Sequence, residues 1–212
     1  MMFRIASVIA FCALLSEARN YSHRGTDIRD QDLPPADQPA LVARYVVNQA
    51  DYAAVATIST RKDIDTYPVA NVIAYSDGLI GNGTGIPYMY ITTHDHYTTI
   101  VQDLDKDNRA TLLISLVLTN YCGNNLDVMN KRCPSVLLTG KFAAVNDTAE
   151  YETEAQLFSK RHPTLENRIS DHSKAYLVKF DIQEIALVDF NIGTKYISME
   201  DYFRPPVNHI VN

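Results

Sequence analysis

His94-Asp95-His96 places two imidazoles two residues apart. That spacing lets both reach one metal ion from a strand but turns them apart at the start of a helix. Tyr97, Ile100, Val101 and Leu104 follow at helical intervals with Asp95 at the helix start, so the segment reads as a polar helix entry and no metal is assigned. His162 precedes a proline, His172 follows a polar stretch and His209 lies near the C-terminal end; nothing ties any of them to a reaction. Nucleophilic catalysis lacks its usual parts, since there is no Gly-x-Ser-x-Gly elbow. Gly78, Gly81, Gly83 and Gly85 are spaced like a phosphate cradle, yet no Lys-Ser/Thr pair follows, and they read as a glycine-rich surface loop. Tyr88 and Tyr90, on either side of Met89 in a short strand, have the spacing to flank a planar ligand; core and subunit contacts are the preferred use. No catalytic residue is assigned.

The cysteines report a compartment. One positive charge in the first four residues, an apolar run to Leu15 and the small residues of Ser16-Glu17-Ala18 mark residues 1–18 as a secretory signal peptide. Cys12 leaves with it. Cys122 and Cys133 then flank a single connection in an oxidising route and are expected to pair, closing a loop of about a dozen residues worth roughly 3 kcal/mol. Free thiols are the alternative. Asn20-Tyr21-Ser22, Asn82-Gly83-Thr84 and Asn146-Asp147-Thr148 fit the N-glycosylation pattern, and Asn146, at a strand-to-helix junction, is the best placed. With 25 acidic residues against 19 basic, the net charge of -6 argues against a nucleic-acid partner, which must neutralise phosphates. No apolar run of bilayer-spanning length follows the leader, so no membrane insertion is expected.

The elements that must position these groups centre on a long antiparallel hairpin over residues 109–145. Ala110, Leu112, Ile114, Leu116 and Leu118 alternate on the way out and Val136, Leu138, Phe142 and Ala144 on the way back. Gly140 interrupts the returning row, where a bulge or tight bend would let a sheet curl. Residues 19–36 are polar and expected to precede the ordered core. Asp37 is expected to cap a helix with Pro39 in its first turn and Leu41, Val42, Tyr45 and Val46 on its apolar face. Residues 52–60 and 68–75 read as paired strands around a charged turn, Ser76-Asp77-Gly78 as the end of the second, and residues 87–92 as a short aromatic strand. Asp147 and Glu150 have capping-box spacing for a helix through Phe158 that His162-Pro163 stops. Residues 175–190 return to strand with a bulge near Gln183-Glu184, and residues 198–202 form a last helical turn. One α+β domain over residues 37–203, with a tail at 204–212, is the expected organisation.

That order of elements resembles the CREG family of secreted glycoproteins. The resemblance rests on Ala54-Val55-Ala56-Thr57-Ile58-Ser59-Thr60, Ser76-Asp77-Gly78, Gly85-Ile86-Pro87-Tyr88-Met89-Tyr90, Thr119-Asn120-Tyr121-Cys122, Leu138-Thr139-Gly140, Val145-Asn146-Asp147-Thr148 and Arg161-His162-Pro163. It implies a split β-barrel of the FMN-binding, pyridoxamine-phosphate-oxidase-like type, with antiparallel strands, a few flanking helices and a homodimeric state. It also implies a secreted or endolysosomal glycoprotein linked to growth restraint and differentiation through a cell-surface or lysosomal sorting receptor. In flavin-binding relatives, basic residues for the phosphate sit on the second strand and in the first turn of the helix after the third. The matching runs here, Pro68-Val69-Ala70-Asn71-Val72 and Tyr97-Thr98-Thr99-Ile100, hold neither Lys nor Arg. Thr92, Thr93 and His94 are left as a remnant phosphate site, and hydroxyls with a neutral imidazole are weak substitutes for a guanidinium. The expectation is a non-catalytic split barrel without a cofactor, with an FMN-dependent oxidoreductase as the alternative.

Overall fold

The computed structural model describes residues 33–92, 100–116, 133–169, 175–189 and 192–205. In chain order the elements are α1 (Pro39–Gln49), β1 (Tyr52–Ile58), β2 (Pro68–Ala74), β3 (Ser76–Leu79), β4 (Asn82–Thr92), α2 (Ile100–Lys106), β5 (Arg109–Ser115) and β6 (Ser135–Ala144). They continue with α3 (Thr148–Arg161), a 3-10 turn (Pro163–Leu165), α4 (Glu166–Ile169), β7 (Ala175–Asp189), β8 (Gly193–Ile197) and α5 (Met199–Phe203). The strands form one antiparallel sheet in the order β2-β1-β5-β6-β7-β4-β3, with β8 added to β7.

Alternating side chains give this sheet an apolar inner surface. Val55, Leu112, Leu138, Ile185 and Ile197 are successive cross-strand partners and all are buried. Each is worth about 1.5–3 kcal/mol relative to exposure. The curl that turns this surface on itself comes from a bulge: Thr139 pairs with Glu184 and Gly140 with Ile182, leaving Gln183 extra. Gly140 lies so close to β7 that a Cβ there would sit 2.1 Å from the Asp181 carbonyl oxygen. The interruption of the row at Gly140 and the expected bulge at Gln183 are thus two sides of one bend.

Helix α1 occupies the hollow of the curl, packing against β3 through β8 and α5. Its buried residues are Ala40, Val42, Ala43, Val46, Val47 and Asn48. The expected face differs: Leu41 and Tyr45 are only partly buried, because a helix surrounded by sheet buries its small side chains nearly all round. Asp37 is not the cap either. Gln38 holds that position without a side-chain bond, and Pro39 starts the helix. At α3 the expectation holds, with the Asp147 carboxylate accepting from the Glu150 N–H at 2.8 Å. The helix runs past Phe158 to Arg161 before Pro163 ends it.

Two further readings need correction. Ser76-Asp77-Gly78 does not end a strand before a surface loop; it is part of β3, paired to the first half of β4, which starts at Asn82. Its glycines allow close backbone approach, and a Cβ on Gly83 would lie 2.1 Å from the Asp77 carboxylate. Ala144 is exposed, and the row is continued inward by Val145. The first part of β7 buries Ala175 and Leu177 in a second cluster with Tyr88, Tyr90, Phe158 and Ile169, and Tyr176 is left half exposed, while Val178, partly buried, packs against the main core with Phe180 and Ile182. Among the described residues no helix is long and apolar enough to cross a membrane.

Candidate functional site

β4 changes partner midway. Its first half pairs with β3 and its second half, Tyr88–Thr92, with β7, while among the described residues β2 pairs only with β1. The edges of β2 and of the second half of β4 therefore face each other across a gap, the split of the barrel. A cleft of about 270 Å³ fills it. Asn71, Val72, Ile73 and Ala74 of β2 form one wall and Tyr90, Ile91 and Thr92 of β4 the other. Ile100, Phe158, Leu165 and Ile169 close its ends with hydrocarbon, beside Tyr52.

Thr92 thus stands where the remnant site was expected; Thr93, His94 and the rest of the His94-Asp95-His96 run lie outside the described residues. No Lys, Arg or His is among the described residues that wall the cleft. Three described guanidiniums are held elsewhere. Arg109 pairs with Asp107, Arg61 with Asp63, and Arg44 donates to the Gly83 carbonyl while lying 5.4 Å from the Tyr202 ring centre. The described residues fit a flavin phosphate poorly: they offer amide and hydroxyl groups in an apolar wall, and the fork donor that a dianion needs is not among them. Nor do the described residues contain a cluster of three metal-ligating side chains.

Tyr88 and Tyr90 are core residues. The Tyr88 hydroxyl donates to Glu150 at 2.8 Å, Lys179 grips the same carboxylate at 2.8 and 3.1 Å, and burial with the Glu150 charge pushes the phenol well up. Tyr90 packs edge-on against Phe158 with ring centres 5.1 Å apart, although its edge also borders the cleft.

A second polar cluster was not foreseen. Arg161, the last residue of α3, has a side chain only 3% exposed. Its guanidinium donates to the Asp51 carboxylate at 3.0 Å, to the Ala50 carbonyl at 2.7 Å, to the Gly78 carbonyl at 3.2 Å and to the Asn48 carbonyl, with Asp77 at 3.4 Å. The Tyr75 hydroxyl adds a bond to the Val47 carbonyl at 2.6 Å. Together they satisfy carbonyls at the end of α1 that have no partner within the helix, and a cation sits at the negative pole of its dipole. Asp77, fully buried, accepts from Asn48 at 2.9 Å and from the Gly85 N–H at 3.3 Å. Burial raises its carboxyl above the ordinary range despite these donors. His162 turns its Nε2 to the Tyr75 carbonyl at 2.7 Å, and burial lowers its imidazole, which favours the neutral ring. Tyr202 closes the far side by donating to the Gly85 carbonyl at 2.9 Å. The cluster ties α1, β3, β4, α3 and α5 together through these bonds.

A family model for the CREG β-barrel matches residues 34–204. The chain belongs to the CREG family. Protein CREG1 of Mus musculus is 36% identical over 187 residues, covering 88% of this chain and 83% of that protein. Protein CREG1 of Gallus gallus is 34% identical over 175 residues, 81% of this chain and 88% of the relative. Among solved structures, a heme binding protein from Mycobacterium smegmatis superposes with a TM-score of 0.60 at 18% identity, over 81% of this chain and 61% of its own. A Clostridium acetobutylicum protein related to general stress protein 26, of the pyridoxinephosphate oxidase family, superposes with a TM-score of 0.54 at 15% identity, over 79% and 99%. At these identities the structural likeness concerns the fold alone: an antiparallel split barrel with a few helices. Within this CREG chain, Ser76-Asp77-Gly78 and Arg161-His162-Pro163, far apart in sequence, meet in the buried cluster.

Proposed function

We propose that this CREG-family chain is a secreted or endolysosomal glycoprotein that acts by binding other proteins, including a cell-surface or sorting receptor, in growth restraint and differentiation, and that it works without flavin. The observation that carries this reading is the wall of the cleft, which is apolar and without a cation among its described residues. The leader-like residues 1–18, the sequons at Asn20, Asn82 and Asn146, and a Cys122–Cys133 pairing belong to the same proposal. Its support includes the oxidised state of Cys133 and the exposure of Asn82 and Asn146. Cys122 and Asn20 lie outside the described residues. Adding FMN to the purified secreted protein is expected to leave flavin fluorescence unchanged; saturable quenching in the micromolar range would overturn the reading in favour of an FMN-dependent oxidoreductase.

The homodimer belongs to the proposal as well, and the outer face of the sheet supports it. Val72, Ala54, Leu113, Leu137, Ala186 and Tyr196 are successive partners across six strands, and none carries a charge. Val72 and Tyr196 are 74% and 75% exposed, and Leu113 lies between them. A row of this kind on a sheet is a surface suited to a second copy. Light scattering at micromolar concentration is expected to give twice the chain mass, and Leu113→Lys, which sets an ammonium in the middle of the row, to give the single-chain mass.

A further inference from the structure

Pairing between β6 and β7 reaches Ala144 and Val178, and the Val145 N–H then donates to the Leu177 carbonyl. One step further along this register stand Asn146 and Tyr176. Residues directly opposite in an antiparallel pair project from the same face with their Cβ atoms about 5 Å apart. Asn146 is exposed, and Tyr176 is 49% exposed, a large aromatic left half uncovered. Both line a groove of about 520 Å³ between α2 and the ends of β6 and β7. That volume falls within the roughly 300–1,000 Å³ of small-molecule sites. Tyr151 adds a second aromatic, and Asp105 and Asn108 put a carboxylate and an amide on the α2 side. The Asn108 amide N–H is spent on the Phe142 carbonyl at 3.0 Å, which leaves its oxygen to accept. Aromatic rings beside hydrogen-bond acceptors are the chemistry that holds a sugar: C–H bonds of the pyranose face lie on the ring and hydroxyls donate to the acceptors.

We propose that the groove seats the proximal N-acetylglucosamine of a glycan carried by Asn146, with the sugar lying along the Tyr176 ring. This deepens the reading of a secreted glycoprotein and rests on it. Attachment forms the bond from Asn146 Nδ2 to the sugar C1 and breaks the C1–O bond to a polyprenyl pyrophosphate donor, which departs with the electron pair while Nδ2 gives up a proton. Asp147 does not compete for the sugar, since its carboxylate is turned back to cap α3. The glycan then covers apolar surface of its own chain as well as extending into solvent.

The test uses the full secreted chain carrying Asn20→Gln and Asn82→Gln, so that Asn146 is the one sequon left. Mass spectrometry of the Asn146 glycopeptide comes first. Enzymatic removal of the glycan from the folded protein is expected to lower the thermal midpoint by about 2–4 °C, whereas trimming to a single N-acetylglucosamine is expected to leave it unchanged. In Tyr176→Ala the midpoint difference is expected to vanish. The acetyl methyl proton of the first sugar is expected to be shifted upfield by the ring and to return to its ordinary position in Tyr176→Ala, a readout independent of stability. An unmodified Asn146 overturns this proposal together with the use of that sequon. A modified Asn146 whose methyl signal and midpoint ignore Tyr176→Ala overturns the proposal alone and leaves the glycoprotein reading standing.

Discussion

Arg161→Ala lowers the thermal midpoint of the domain by roughly 10 °C, the largest effect expected of any single side chain. The guanidinium is buried and serves five acceptors at once, three of them backbone carbonyls from the end of α1 and from β3. Its removal takes the donor from the Asn48 and Ala50 carbonyls and the cation from the fully buried Asp77, which keeps only Asn48 and the Gly85 N–H among these donors. Breaking a buried charged pair typically costs about 3–5 kcal/mol, and about 2–4 °C accompanies each kcal/mol in a domain of this size. Arg161→Lys recovers only part of the loss, because an ammonium cannot reproduce the planar fork that reaches Asp51, Ala50 and Asn48 simultaneously. Asp77→Asn is milder, at about 1 kcal/mol, since an amide oxygen retains an acceptor for Asn48 and Arg161, and Arg161 keeps Asp51 and its carbonyl partners. Thermal unfolding followed by circular dichroism on the three variants checks the order; an Arg161→Ala protein as stable as Asp77→Asn contradicts it.

Gly140→Ala is the second large effect, with an expected loss of about 3 kcal/mol, the upper end for overpacking. The added methyl would meet the Asp181 oxygen at 2.1 Å, its carbon at 3.0 Å and the Ile182 Cα at 3.2 Å, all backbone atoms of β7. A side chain in that place could rotate away; a paired strand cannot. Relief requires the bulge to open, which moves Phe142 and Phe180, packed edge to face at 5.3 Å, out of register. Gly81 is the control. Nothing lies within 4 Å of its absent Cβ, and Asn is among the side chains that tolerate its φ of +81° best, so Gly81→Asn is expected to lower the unfolding midpoint in urea far less than Gly140→Ala does.

The readable parts of the chain were those whose signal is local. Ala110, Leu112 and Ile114 alternate cleanly because one face of β5 meets the core, and Asp147 with Glu150 announces α3 within four residues. β3 escaped notice because it is four residues long, contains Gly78 and buries an aspartate where a strand ordinarily places an apolar group. Asp77 is tolerated inside only because Asn48 and Arg161 reach it, and neither proximity is visible until the sheet has curled. The face of α1 departs from the expected Leu41, Val42, Tyr45 and Val46 for a related reason: the helix lies inside the curled sheet, which no local pattern announces. For the cleft, the want of a cation on β2 could be read directly from residues 68–72, but its closure by Phe158, Leu165 and Ile169 depends on how α3 and α4 return over the split.

The seal on α1 has a bearing on how the molecule is made. Arg161 meets Asp51 across 110 positions of chain, Tyr202 meets Gly85 across 117, and Arg44 meets the Tyr202 carbonyl across 158. On a ribosome the first helix and its neighbouring strands emerge well before either tether exists, and loop-closure entropy delays such distant pairings further. The nascent amino-terminal half therefore waits, with its aliphatic surface uncovered, in the interval when a growing chain most needs a chaperone.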